Sequence, residues 1–476
     1  MTLETVLAWS TGRSLILTSL ALLLAIPIHR AIAGEASATT KQKLLITAAL
    51  LPLFVPDLLI GFAYRLTSAR LLRSVAATEA LYAVLLLVRV IALQVAVQLM
   101  LPCSAVSDEA LHTWKLNPRR DNNWRRTWLR LQVAGPARAP LVAWLGGALL
   151  CFQEFETAAL LQIDRHPIAW TVWLFDAHAA GEPLSSSLSF AAPALVIQCV
   201  WLLPCLWLLL SGPAQATGLS GGEQWSNSSR FVKLATGITI IAGLLLVIFW
   251  PIVSNAAELF RGISSLANQQ ALWSRSKQIL ASLTECAIAA YMALQVCRFA
   301  DFLKSRALKI LLVLPGLCGS LVLSLSLLAA FQLPVLHGLY DTWVPMVLGH
   351  VLLLLPRAIL LVTVLDFLTS ASTQHSGDLL FSARHESTIE TARKLSWTMH
   401  KRKWLLALAI LTHWCFWDVT IAATLRPVTF EPIITRLYNE MHYGRTETLV
   451  AITGLALLIP LTIFVAAGFA WRRVKI

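Results

Sequence analysis

The chain has 476 residues, 57% of them hydrophobic and only 13% charged, with a mean hydropathy of +0.70. A soluble protein of this size carries about 25% charged residues, so a water-soluble domain is excluded, and the ten-residue alternating strands of a membrane barrel are missing. The net charge of +13 fits the Lys- and Arg-rich cytoplasmic loops of a polytopic membrane protein better than a nucleic-acid binder.

Eleven apolar stretches long enough to cross a bilayer are read in chain order: 14–29, 44–64, 80–101, 139–162, 189–211, 232–254, 279–299, 310–331, 344–366, 404–424 and 447–470. The expected fold is an all-α polytopic membrane protein of about eleven transmembrane helices. The N-terminal MTLETVLAWS has no basic n-region, so no cleavable signal is expected. If the tail WRRVKI is cytoplasmic, the inside segments hold most of the 38 Lys and Arg, which places the N-terminus outside and the C-terminus inside. The eight cysteines sit in or beside apolar segments without a CxxC pair and read as small buried hydrophobes.

The stretches recur in order. FQEFETAALL (152–161) is matched by FWDVTIAATL (416–425), and each is followed by Pro-Ile and then by His and Gly. LLLVR ending at Arg89 is matched by LLLLPR ending at Arg357, and the proline-bearing run 50–61 by 312–323. The first span pairs with the seventh and so on to the fifth with the eleventh, leaving the sixth unmatched. An even offset keeps orientation, so the halves are parallel pseudo-repeats. The expected division is a first half at 1–215, a Gly/Ser-rich linker at 216–231 and a second half at 232–476. Beyond the fourth and tenth spans, Trp170, Trp173, Leu174 and Ala177 share their spacing with Ile434, Leu437, Tyr438 and Met441. This is the spacing of an amphipathic helix lying in the membrane interface or capping a vestibule.

Charges inside apolar runs cost several kcal/mol by order of magnitude and face a bundle interior or a wet cavity. They are Asp57, Arg89, Glu154, Glu156, Arg357 and Asp418. One reading makes the acids a cation path. The other makes Glu154–Arg89 and Asp418–Arg357 structural ion pairs, repeated between the halves. His413 and Cys415 lie near Asp418, but a histidine in a Trp-rich helix is more often packed than ligating, so no metal site is expected. There is no GxxxxGK[ST], HExxH or GxSxG pattern, so no catalytic site and no ATP hydrolysis by this chain are expected.

The longest inside segments, 102–138 and 367–403, occupy equivalent places and each holds an acid-led stretch, from Asp108 and from Glu386. They resemble the coupling loops of binding-protein-dependent ABC transporter permeases. The first runs Glu109-Ala110-Leu111 with Lys115 where that family has glycine; the second runs Glu390-Thr391-Ala392 with Ser396 at the glycine position. The stretch WDVTIAATLRPVTFEPIITRLYNEMHYGR (417–445) is similar to the fused, double-length permeases of ferric-iron importers. That resemblance implies a bacterial inner-membrane permease without a cofactor of its own. Its partners would be membrane lipid, a periplasmic binding protein that delivers substrate and a separate cytoplasmic ATPase dimer that binds ATP. An ion-gradient-driven secondary transporter or channel, or a membrane scaffold that has lost ATPase coupling, also fits parallel repeats with intramembrane acids.

Overall fold

A computed structural model describes residues 2–33, 40–71, 73–101, 116, 124–161, 169–210, 230–267, 271–302, 306–367, 402–442 and 446–473. Every regular element among them is helical, and they form two compact units, Met1–Ser254 and Asn255–Ile476. The boundary falls after the expected sixth span rather than before it. Residues 232–254 therefore belong with the first unit, because that helix packs on the first helix of the chain. The expected linker 216–231 lies almost wholly outside the described residues.

The first unit begins with α1 (Leu3–Ala33), α2 (Thr40–Leu50), α3 (Asp57–Leu71) and α4 (Val75–Met100). It continues with α5 (Trp124–Ala134), α6 (Arg138–Gln153), α7 (Glu156–Leu161), α8 (Trp170–Ala179) and α9 (Leu184–Leu210). It ends with α10 (Arg230–Leu244), which runs through a π-helical turn (Leu245–Phe249) into α11 (Trp250–Ser254). The Trp250 N–H reaches five residues back to the Leu245 carbonyl; in that register the Leu246 carbonyl faces Pro251, which has no N–H, and the Tyr64 hydroxyl donates to it instead at 2.8 Å.

The second unit comprises α12 (Ala256–Ala267), α13 (Ala271–Phe302), α14 (Arg306–Leu317), α15 (Ser320–Phe331) and α16 (Trp343–Phe367). α17 (Arg402–Phe416), α18 (Val419–Leu425), α19 (Ile433–His442) and α20 (Thr446–Arg473) complete it. In the first unit α1, α4 and α6 pack on one another; in the second, α13, α16 and α17 do the same.

Among the described residues six helices (α1, α4, α9, the α10–α11 helix, α13 and α16) are long and apolar enough to cross a membrane. Counting each bent pair as one span brings the number to ten. The second and eighth expected spans are both broken, by 75° between α2 and α3 and by 111° between α14 and α15. The first break contains Pro52 and Pro56, whose missing N–H groups cannot continue a helix. The second turns on Gly319 at φ 89°, a left-handed backbone that a side chain would strain.

The outer surfaces are apolar. Val196, Val200, Leu203 and Trp207 form one exposed stripe along α9, and Leu234, Ile238, Ile241, Leu245 and Phe249 form another along α10 and its π turn. Exposed contiguous stripes of this size would drive aggregation in water and instead suit lipid. The chain is an all-α polytopic membrane protein.

Gly147 sets how closely the first unit's helices cross. A Cβ there would meet Thr18 Oγ1 at 2.5 Å and Gln94 Nε2 at 2.7 Å. Gln94 Nε2 donates to Thr18 Oγ1 (2.8 Å) and to its carbonyl (3.0 Å), while Thr18 Oγ1 donates to the Trp144 carbonyl (2.8 Å). A polar knot thus ties α1, α4 and α6 where only hydrogen fits.

Candidate functional site: two buried polar clusters at equivalent places

The matched motifs hold helix breaks. α6 ends at Gln153 and α7 starts at Glu156; α17 ends at Phe416 and α18 starts at Val419. An acid caps each restarted helix. Glu154 accepts from the N–H groups of Thr157 (2.6 Å) and Ala158 (3.1 Å), and Asp418 accepts from the N–H of Ile421 (2.8 Å). These N–H groups have no helical partner of their own, so a carboxylate at the N-terminus satisfies them and meets the positive end of the helix dipole. A second shared contact fixes α8 and α19: the backbone N–H of their first residues, Trp170 and Ile433, donates to Ser10 of α1 (3.1 Å) and Ser282 of α13 (3.0 Å).

These contacts register the two units residue by residue. Arg13 stands three residues after Ser10, and Glu285 three after Ser282. Tyr82 precedes Arg89 by seven, and His350 precedes Arg357 by seven. Cys151 precedes Glu154 by three, and Cys415 precedes Asp418 by three. At each registered place the two units carry different chemistry.

In the first unit the Arg13 guanidinium donates to Glu79 (3.1 and 3.4 Å) and lies 4.7 Å over the Tyr82 ring. The Tyr82 hydroxyl donates to Glu154 at 2.6 Å. One cation, two carboxylates and a phenol form a continuous chain from α1 through α4 to the α6–α7 break, buried except at half-buried Glu79. In the second unit His350 Nδ1 meets Glu285 Oε1 at 2.9 Å, with both side chains within 3% of full burial. The Cys286 thiol donates to Glu285 Oε2 at 3.2 Å, and buried Cys415 stands beside Glu285 and His350. One ligand atom each from Glu285, His350 and Cys415 lies within 4.8 Å of the other two.

The structure redistributes the expected charge pairs. Glu154 pairs with Tyr82 and the α7 N-terminus, while Arg89 forms its ion pair with Asp57, the first residue of α3. Pro56 ends the preceding turn and starts α3 there, which brings Asp57 to α4; the sequence pattern gave no measure of that approach. Asp418 caps α18, and no Asp418–Arg357 ion pair forms among the described residues; the Arg357 guanidinium lies 5.9 Å over the Trp414 ring. Glu156 opens α7. Cys415 joins Glu285 and His350, whereas His413 is not part of that group. The expected coupling residues Glu109, Ala110, Leu111, Lys115, Glu390, Thr391, Ala392 and Ser396 lie outside the described residues. The stretches expected at the membrane interface, α8 and α19, bury their apolar stripes inside their own units: Trp170 and Leu174 in one, Ile434, Leu437 and Met441 in the other.

Reasoning from sequence missed Arg13, Glu79, Tyr82, Glu285 and His350. The last two were visible as an acid in the apolar run 279–299 and a histidine in 344–366, and the spacing to Arg357 would have aligned His350 with Tyr82. No family model, no curated protein and no solved structure matches the chain.

Proposed function

We propose that the chain is the permease subunit of an ABC importer, both halves fused, that moves its substrate by alternating access. The observation that carries this reading is the repeated broken helix. Both units place FQEFETAALL or FWDVTIAATL at a break capped by a buried acid, and both break the element two positions earlier. Two equivalent discontinuous helices in parallel repeats are the arrangement in which transporters hold and release cargo without exposing backbone to lipid. The similarity of 417–445 to ferric-iron permeases supports ferric iron as the cargo and a binding protein as its source. The basic segments 102–138 and 367–403 supply the handles for a separate ATPase dimer, in a bacterial inner membrane with the N-terminus outside and the C-terminus inside.

The reading is tested by co-purifying the chain with a candidate ABC ATPase, with and without Glu109→Arg and Glu390→Arg, and by measuring uptake of labelled ferric iron in proteoliposomes. Each substitution is expected to weaken the complex or uncouple its ATPase activity, and the pair to abolish transport. A native complex that the double substitution leaves unchanged would remove the coupling assignment. The buried Glu285–His350 pair favours a second reading, an ion-gradient-driven transporter. Uptake that needs an ion gradient and no ATPase would select it.

A further inference from the structure

In the first unit the positive charge among the acids is covalent: Arg13 sits against half-buried Glu79 and buried Tyr82, with Glu154 beyond. In the second unit the same place on the equivalent helix is an acid, Glu285, and around it stand a histidine and two thiols. Electron-pair donors have replaced the guanidinium. His350 and Glu285 are held in contact through Nδ1 at 2.9 Å, the nitrogen that a cation shared with Glu285 would take, and both side chains are almost fully buried.

We propose that Glu285, His350 and Cys415 bind a divalent transition-metal cation of borderline softness, best Zn²⁺. The donor set is one carboxylate oxygen, one imidazole nitrogen and one thiolate, which suits Zn²⁺ and excludes Mg²⁺ and Ca²⁺, whose ligands are oxygens. Tetrahedral zinc places ligand atoms about 3.3–3.8 Å apart, so side-chain rotations within the present 4.8 Å close the site without moving a helix. Charge balances as well: a dication with one carboxylate and one thiolate is neutral, which a membrane interior demands. Three protein ligands leave a fourth position open, the pattern of zinc sites that exchange a ligand rather than of closed structural ones. The three ligands come from α13, α16 and α17, so the metal would tie together the helices at the heart of the second unit. The site stands apart from the permease reading and holds whether or not an ATPase drives the chain.

The test uses the full chain, purified in detergent under reducing conditions and titrated with Co²⁺, a coloured substitute for Zn²⁺. About one Co²⁺ per chain is expected, with a thiolate-to-cobalt charge-transfer band that Zn²⁺ displaces. Cys415→Ser should abolish the band, His350→Gln and Glu285→Gln should keep it with affinity at least tenfold weaker, and Cys151→Ser, the registered position in the first unit, should change nothing. A wild-type chain that shows no such band overturns the proposal, as does a band that survives Cys415→Ser or is lost equally in Cys151→Ser. Where Cys415→Ser does not fold, the two Gln variants decide: wild-type affinity in both overturns the site.

Discussion

The two units use one skeleton for two kinds of polar heart. In the first, Arg13, Glu79, Tyr82 and Glu154 are bound into a chain whose charges are supplied by the protein itself. In the second, Glu285, His350, Cys286 and Cys415 gather donors without a built-in guanidinium at the registered place. The serine contact to α8 or α19 and the acid at the helix break are retained in both. The retained features satisfy backbone groups that lipid cannot satisfy, whereas the cluster they frame is free to change chemistry. Skeleton and site therefore answer to different constraints: backbone hydrogen bonding fixes the first, and the net charge of a desolvated cluster restricts the second.

Unequal costs at registered positions would sharpen this comparison. The largest effect is expected at Arg13. Arg13→Gln removes a buried guanidinium from half-buried Glu79 and from the face of Tyr82 and should cost about 2–3 kcal/mol in unfolding measured in bicelles or mixed micelles. Its counterpart Glu285→Gln keeps the shape and an acceptor for His350 and should cost only about 1–2 kcal/mol. Equal losses would mean that the two clusters are energetically alike.

A double-substitution cycle on Arg89→Gln and Asp57→Asn should give a coupling of about 1–3 kcal/mol, while Arg89→Gln with Glu154→Gln should add to within about 0.5 kcal/mol. Strong coupling in the second cycle would restore the pairing read from the sequence. The smallest and most local contrast lies at two adjacent glycines of α6. Gly147→Ala pushes a methyl group into Thr18 and Gln94 and should cost about 1–3 kcal/mol. Gly146 has nothing within 4 Å of an added Cβ, so Gly146→Ala should be neutral or stabilise by up to about 1 kcal/mol through helix propensity. If both substitutions behave alike, the crossing of α1, α4 and α6 is not set by Gly147.

Composition and apolar run length carried the fold class, because in lipid the hydrophobic pattern and the need to close every backbone hydrogen bond leave helices as the solution for a chain like this. The repeat was equally plain in FQEFETAALL and FWDVTIAATL. The breaks in the second and eighth spans were less so: Pro52, Pro56, Pro315 and Gly319 were visible, yet α9 carries Pro193 and Pro204 without stopping, so proline alone does not mark a break. The polar clusters were the least legible. Arg13 reads as an N-terminal flanking charge and Glu285 as an isolated acid until α4 and α16 are packed beside them. Ion pairing also depends on distances that no spacing within one helix reports, which is why Arg89 finds Asp57 rather than Glu154.

The direct test of the duplicated skeleton is an experimental density map of the full chain in a lipid nanodisc, with Met1–Ser254 rotated onto Asn255–Ile476. One rotation should lay the α6–α7 break on the α17–α18 break and bring Arg13 onto Glu285, Tyr82 onto His350, Cys151 onto Cys415 and Glu154 onto Asp418. Two halves that no single rotation superimposes, or that superimpose with these residues out of register, would contradict it.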